Sequence, residues 1–407
     1  MFSLVLKTAT LKQILENKDT LVGRIIEKCK RIYVDDPNDD YFSKTEGDTC
    51  KGDLPKGMNW TIKDKYNKDK DNDKSVKDLI QKIESGDYHL VLELPNSAFI
   101  LDISRDDSKK IQDLYGVICL STQNGVKTLD EDIKRSLSTI YPHYKFISHT
   151  ENWDTFLKLP KPITPSNSLI INDRYIFSKE IKKICKGDED EIASSGIDNL
   201  KYLLKSLLPL KESFCPDDTD TEFNVLIISD IKIEDNKERD ERVKSFIAQI
   251  GRLADGLRTN EDLEDRCKFS IDLILTDGIK NEYSFTNITH NRAIYSNYYT
   301  ITVDHALSAF NQAYYYPQNV YISRLFSWGL RDKDYNDMPL KGHDYSIECL
   351  RKSIKKFIET SGDNNPVENE DPLYPFVKVY SCSPGKVYHC HFGKGKPDPK
   401  INRLFWG

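Results

Sequence analysis

Three features are missing from this sequence: a long apolar run, closely spaced cysteine pairs and a basic leader. No stretch approaches the ~20 consecutive apolar residues that a membrane-spanning helix needs. The nine cysteines are odd in number and contain no Cys-x-x-Cys pair, so they predict reduced thiols and not a disulfide framework. The N-terminus lacks the basic segment and the small-residue cleavage site of a secretory signal. We therefore expect a soluble, cytoplasmic protein without a membrane span.

An excess of positive charge is also missing, since the formal net charge is −6. Attraction of the whole surface to nucleic acid or to an anionic membrane is excluded, and any such binding needs a local basic patch. What the sequence does contain is a length of 407 residues, of which 38% are hydrophobic and 11% aromatic. This is more than one typical core holds, and it predicts two domains.

The best candidate for a linker is KLPKPITPSNS (158–168), which concentrates three prolines. We accordingly predict an N-terminal α/β domain of unknown family over residues 1–160 and a second domain over 161–407. Within the first, the charged stretch from about 35 to 74 is typical of a solvated loop.

Periodicity predicts the elements of the first domain. A helix is expected over 76–83, and a β-hairpin over 88–94 and 98–103 with its turn at Pro95–Ser97. Three further elements are a helix with Asp106 or Asp107 near its start and Gly116 at its end, a buried strand over 117–122, and an amphipathic helix over 129–141.

The second domain alternates strands with helices. The expected strands are 168–178, 223–230, 269–277, 288–304 and 319–328, and the expected helices are 196–208, 237–258 and 345–359. Alternation of this kind is typical of a mostly parallel sheet covered on both faces, so the fold class predicted for the chain is α/β.

The segment with the clearest chemistry is THNRAIYSNYYTITVD, residues 289–304. Residues two apart on a strand share a face, so His290 and Arg292 are expected to project together. An imidazole beside a guanidinium forms a compact donor site for a phosphate or a carboxylate. Asn297 lies five residues beyond Arg292.

The spacing of His290, Arg292 and Asn297 resembles the H-x-K-x-x-x-x-D motif of the phospholipase D superfamily, with Arg in place of Lys and Asn in place of Asp. The segment is still more similar to the phospholipase-D-like domain at the C-terminus of MIT-domain proteins and to its bacterial relatives. It departs from their pattern at Asn291, which replaces an Asp, and by lacking the glycines that follow the strand. The resemblance covers about residues 168–360 and implies a phospholipase-D-like α/β domain.

That superfamily is built from two similar halves that contribute to one cleft. Asn172 and Arg174 repeat the spacing of His290 and Arg292 on an earlier strand, so the resemblance implies a ligand-binding cleft made from all four. The alternative is an ordinary edge strand with a solvated arginine. Two more ligand-binding candidates, which could equally be simple strand ends, follow buried strands: Asp230 and Asp277.

The superfamily's mechanism resembles one in which a first histidine attacks phosphorus and a second protonates the leaving oxygen. This chain offers only His290, because asparagine at 172 can act neither as a nucleophile nor as a general acid. We therefore expect a degenerate module that binds a phosphodiester or another anion, such as nucleic acid, within a bacterial complex that the resemblance links to phage defence. One alternative is a phosphodiesterase or nuclease that uses His290 as catalytic residue from both subunits of a homodimer. Another is a structural subunit that binds a protein partner and retains a relic cleft.

No cofactor or metal is predicted. Metal-ligand side chains occur together at Cys382, His389, Cys390 and His391, but their spacing matches no zinc module. Alternation along a strand would also send the two histidines to one face and Cys390 to the other.

Overall fold

The structure is a computed structural model. It describes residues 3–17, 20–29, 31–36, 61–69, 72–136, 143–147, 166–174, 176–177, 200–201, 203–205, 207–215, 221–230, 256–277, 292–303, 318–324, 347–352, 354, 366–367, 377–382 and 385–392.

The N-terminal part is a three-layer α/β unit. Its elements are β1 (Ser3–Leu6), α1 (Thr8–Glu16), α2 (Leu21–Lys28), β2 (Arg31–Val34), β3 (Thr61–Lys63), β4 (Lys65–Asp69), β5 (Asn72–Ser75), α3 (Val76–Glu84), β6 (Ser97–Leu101), α4 (Arg105–Tyr115), β7 (Ile118–Ser121) and α5 (Val126–Ser136). Five strands form a sheet whose neighbours are all parallel, in the order β3-β2-β1-β6-β7. Leu4 and Leu6 pack into a core with α1, α2 and α5, and Val5 packs into the core on the other face.

The remaining strands form a second, ten-stranded sheet. They are β8 (His143–Ile147), β9 (Ser168–Asn172), β10 (Phe223–Asp230), β11 (Phe269–Asp277), β12 (Ala293–Ser296), β13 (Tyr299–Val303), β14 (Gln318–Arg324), β15 (Pro366–Val367), β16 (Val377–Cys382) and β17 (Gly385–Phe392). The order across the sheet is β15-β16-β17-β11-β10-β9-β12-β13-β14-β8. The three central strands β9, β10 and β11 are parallel, and their neighbours on both sides run antiparallel. The α/β class is thus confirmed, and the N-terminal sheet is fully parallel. The sheet of the second domain, expected to be mostly parallel, is mixed, and seven of its nine strand pairings are antiparallel.

One apolar core covers one face of the central strands. It contains the odd-numbered side chains of β9, β10 and β11, among them Ile171, Ile227 and Leu273, and it also contains Leu200, Leu203 and Leu204. The last three are helical, and the helix stops before Pro209 as expected from the sequence. Because β-strands alternate, the even-numbered residues of these strands lie on the opposite face.

The stretch 35–74 was expected to be a solvated loop, but its described residues include β3, β4 and β5. The last two form a small antiparallel hairpin. Its polar side chains are paired and not simply solvated, because Tyr66 Oη donates to Glu93 Oε2 at 2.6 Å and Lys74 Nζ forms an ion pair with Glu93 Oε1 at 2.9 Å.

The hairpin expected over 88–103 is wrong. Residues Tyr88–Glu93 form a 3₁₀ helix, and only β6 is a strand. Both edges of β6 are already occupied by parallel neighbours, β1 and β7, so no antiparallel partner can pair with it. Val91 packs instead into the core beside Phe99.

The single long strand expected over 288–304 is also wrong in its described part. Residues 293–303 form a hairpin, in which β12 and β13 are joined by a turn at Asn297 and Tyr298. Polar contacts of these two side chains, described below, hold the turn.

The two sheets are joined where the chain enters the second one. Gly116 ends α4 with a φ of +61°, and a Cβ at this position would lie 2.0 Å from the carbonyl oxygen of Ser166. Only glycine permits this approach. In addition β8, which precedes the proposed linker, pairs with β14 in the ten-stranded sheet. Strand pairing therefore crosses the domain boundary proposed at residues 160 and 161.

Candidate functional site

Most of the predicted site residues lie at the carboxyl edge of the three parallel strands. Asn172, Asp230 and Asp277 are the last residues of β9, β10 and β11. Arg174 lies two residues beyond β9, and Arg292 comes directly before β12. Since Ala293 pairs with Asn172, Arg292 lies at the same edge of the sheet. The expectation that the two motif strands share one site agrees with this register, in which β9 and β12 are direct antiparallel neighbours.

An ion pair fixes Arg174 at this edge. Its Nε lies 3.1 Å from Asp230 Oδ2, and the two side chains are 22% and 4% exposed. The backbone of the turn is also fastened to β10, because the Asp173 N–H donates to the Ile228 carbonyl at 3.0 Å and Ser229 Oγ donates to the Arg174 carbonyl at 3.4 Å. Such a pair holds the guanidinium plane in one orientation.

Among the described residues of this edge, aspartates outnumber arginines by three to two. The arginines Arg174 and Arg292 are accompanied by the buried carboxylates of Asp173 and Asp230, and Asp277 ends the next strand. An anion would accordingly be held by the directed N–H groups of the guanidiniums and not by an excess of positive charge.

Asn297 lies at the opposite end of β12. Its side chain is buried, and its Oδ1 accepts hydrogen bonds from the backbone N–H groups of Asn167 at 3.0 Å and Ser168 at 3.2 Å. Its Nδ2 donates to the Pro95 carbonyl at 3.1 Å and to Asn96 Oδ1 at 2.8 Å. Both halves of the amide are thus engaged within the protein, at the amino edge of β9, away from the arginines. This geometry does not support a ligand contact by Asn297.

His290 falls outside the described residues, so its part in the site stays a prediction. Arg292 is described and half-buried.

A second polar cluster joins His389 and His391 to Asp272, a residue that the sequence did not single out. Asp272 is buried in the middle of β11, and its Oδ1 accepts hydrogen bonds from His389 Nε2 and His391 Nδ1, each at 3.0 Å. Cys390 between them lies in the apolar core on the other face, where burial raises the pKa of its thiol. The expected alternation of these three residues is confirmed. The available signals were a single Asp inside the apolar strand FSIDLILTD and a His-x-His pair on a strand.

The cluster has the form of a structural network. Because a carboxylate only accepts, the shared Asp272 Oδ1 fixes which ring nitrogen each histidine turns towards it. His391 Nε2 is buried and has no hydrogen-bond partner among the described residues. Within the described part of the chain, no group of three or more His, Cys, Asp or Glu side chains is arranged to hold a metal ion.

No protein-family model, curated protein or solved structure matches this chain. The resemblance to phospholipase-D-like domains therefore remains a proposal that rests on the motif residues. None of the helices in the described ranges has the length and hydrophobicity needed to cross a bilayer.

Proposed function

We propose that this chain is a binding module for a phosphate-bearing ligand, with nucleic acid as the first candidate, and that Arg174 and Arg292 hold the phosphate. The observation that carries the proposal is the strand register. It brings these two arginines, from segments more than a hundred residues apart in the sequence, to the carboxyl edge of the same parallel strands. In open α/β sheets, ligands characteristically bind outside the carboxyl ends of strands.

The geometry suits recognition better than turnover. Asp230 orients Arg174 in advance, so little side-chain entropy remains to be lost when an anion binds. Arginine offers paired N–H donors that match two phosphate oxygens. Asn172 is fully buried and supplies no acid or base, so the described residues of this edge contain no pair of groups for the two-histidine mechanism.

The wider proposal includes a phospholipase-D-like ancestry for residues from about 168 to 360, a bacterial complex as the setting and the cytoplasm as the location. A reducing location agrees with the six cysteines whose side chains the structure describes, all of which are buried and outside any disulfide. Assembly with a protein partner, or as a homodimer, belongs to the same proposal.

The experiment is binding of labelled single- and double-stranded DNA and RNA over a salt series, with analysis of the products. The variants are Arg292→Ala and, as a control, Arg351→Ala, which removes an equal charge from a helix where it pairs with Glu348. A lost charge-assisted contact costs about 1.5–3 kcal/mol, so we expect Arg292→Ala to weaken binding by about tenfold or more. In a plot of log binding constant against log salt concentration, the slope for Arg292→Ala should be shallower by about 1. The slope for Arg351→Ala should equal that of the wild type.

Equal binding by the wild type and Arg292→Ala would contradict the assignment of this edge. Cleavage of the nucleic acid that disappears in His290→Ala would replace the binding module with the phosphodiesterase alternative. Absence of both binding and cleavage would leave the subunit with a relic cleft.

A further inference from the structure

The turn between β12 and β13 lies at the other end of the strand that carries Arg292. β12 is short and has only four pairs with β9, from Ala293 with Asn172 to Ser296 with Leu169. Directly after the last pair, Asn297 Oδ1 takes up the backbone N–H groups of Asn167 and Ser168, the residue before β9 and its first residue. The ladder is therefore closed at this end by a side chain.

We propose that Asn297 is a positioning residue for the anion site, which acts by fixing the register of β12 on β9. A slip by one residue would turn every side chain of a strand to the opposite face. In a ladder of four pairs, the two hydrogen bonds made by Asn297 Oδ1 are a large part of what opposes such a slip. The register in turn sets Ala293 opposite Asn172, and so holds Arg292 at the carboxyl edge of β9. This inference rests on the function proposed above.

The neighbouring residue provides a matched control. Tyr298 is fully buried in the same turn, and its hydroxyl donates to the Ser97 carbonyl and accepts from the Ile118 N–H, each at 3.0 Å. Both partners belong to the N-terminal sheet and not to β9. Loss of this hydroxyl weakens the same turn but leaves the β12–β9 register bonds intact.

The experiment compares binding of labelled single-stranded DNA by wild type, Asn297→Ala, Tyr298→Phe, Arg292→Ala and the double variant Asn297→Ala/Arg292→Ala, each first shown to be folded by circular dichroism. We expect Asn297→Ala to bind about tenfold more weakly and Tyr298→Phe to bind within twofold of wild type. The double variant should match Arg292→Ala, because a residue that acts only through Arg292 has nothing further to lose. In Asn297→Ala the slope of log binding constant against log salt concentration should become shallower by about 1, as in Arg292→Ala, because the same phosphate contact is lost. A change in stability alone leaves that slope unaltered.

Several results would overturn the inference. One is a folded Asn297→Ala variant with wild-type affinity, and another is a double variant whose losses multiply. A third is an equal loss in Tyr298→Phe, since affinity would then follow stability alone. If Asn297→Ala does not fold, Asn297→Ser takes its place under the same criteria. If the wild type binds no nucleic acid, the proposed function and this inference fail together, whereas wild-type binding with an unaffected Asn297→Ala overturns only the positioning role.

Discussion

Removal of one hydroxyl group should reveal how strongly the two sheets are joined. Tyr298 belongs to the hairpin of the ten-stranded sheet, yet it packs in a core of the N-terminal unit with Leu4, Ile118 and Leu120. Its hydroxyl bridges the first residues of β6 and β7. The substitution Tyr298→Phe keeps the ring in this core and deletes only the bridge.

The expected loss follows from the two groups left behind. The Ile118 N–H and the Ser97 carbonyl would both be buried without this partner, and an unsatisfied buried polar group costs about 1–3 kcal/mol. Of these two groups, the Ser97 carbonyl costs less when it loses this partner, because a buried carbonyl with one unused lone pair is less unfavourable than a buried N–H without an acceptor. We therefore expect the free energy of unfolding to fall by about 2–4 kcal/mol, a large fraction of the ~5–15 kcal/mol of a typical protein.

The assay is urea unfolding followed by far-ultraviolet circular dichroism and by tryptophan fluorescence. The midpoint should shift to lower urea while the slope with denaturant stays constant. Tyr33→Phe is the control, because within the described residues the Tyr33 hydroxyl accepts one hydrogen bond, from Arg31 Nη1 at 3.2 Å, at the far side of the same sheet. A loss below ~1 kcal/mol in Tyr298→Phe, the typical net worth of a single hydrogen bond, or a loss equal to that of the control, would refute the bridge.

Two further predictions concern the same junction. Gly116→Ala should destabilise the protein strongly, because the new Cβ would lie 2.0 Å from the carbonyl oxygen of Ser166. The control is Gly125→Ala, at a φ of +81° with nothing within 4 Å of the new Cβ, which should lower the free energy of unfolding by only about 1 kcal/mol. Thermal unfolding of both variants measures the two losses, and equal losses would contradict the prediction. Burial raises the pKa of Tyr298 above its ordinary value of 10.0, so the neutral phenol is favoured in the folded state. The stability that the neutral phenol contributes is complete below pH 10 and is lost as the pH rises further. The free energy of unfolding should therefore fall less steeply with pH above 10 in Tyr298→Phe than in wild type. An identical pH dependence in the two proteins would contradict this prediction.

The elements that were predictable are those whose signals are local. β10 and β11 have the predicted bounds, because each is an apolar run ended by an aspartate. α4 ends at Gly116 in the left-handed region and carries Asp106 and Asp107 in its first turn, as the pattern indicated, although its N-cap is Ser104, which was not predicted. The turn at Asn297 was not predictable, because its partners lie about 130 and 200 residues away in the sequence.

The candidate site likewise contains residues that local patterns predict and residues whose contacts depend on distant parts of the chain. Asn172, Arg174 and Arg292 were found from their spacing on two strands, and the register places them at one edge. Asn297 matched the same motif but lies at the opposite end of β12. The cluster of Asp272 with His389 and His391 depends on the pairing of β11 with β17, which brings together side chains that are 117 and 119 residues apart in the sequence. Periodicity within one strand carries no information about which strand will be its neighbour.

The pairing of β8 with β14 has a consequence for any attempt to produce the second sheet alone. β8 is the terminal strand of that sheet, and its residues 143–147 come before the proline-rich segment. A fragment that starts at residue 161 would lack β8 and would expose the edge of β14 that pairs with β8, while the other edge of β14 stays paired with β13. Exposed strand edges of this kind invite pairing with other chains and aggregation. A fragment that begins before residue 143 keeps this edge covered.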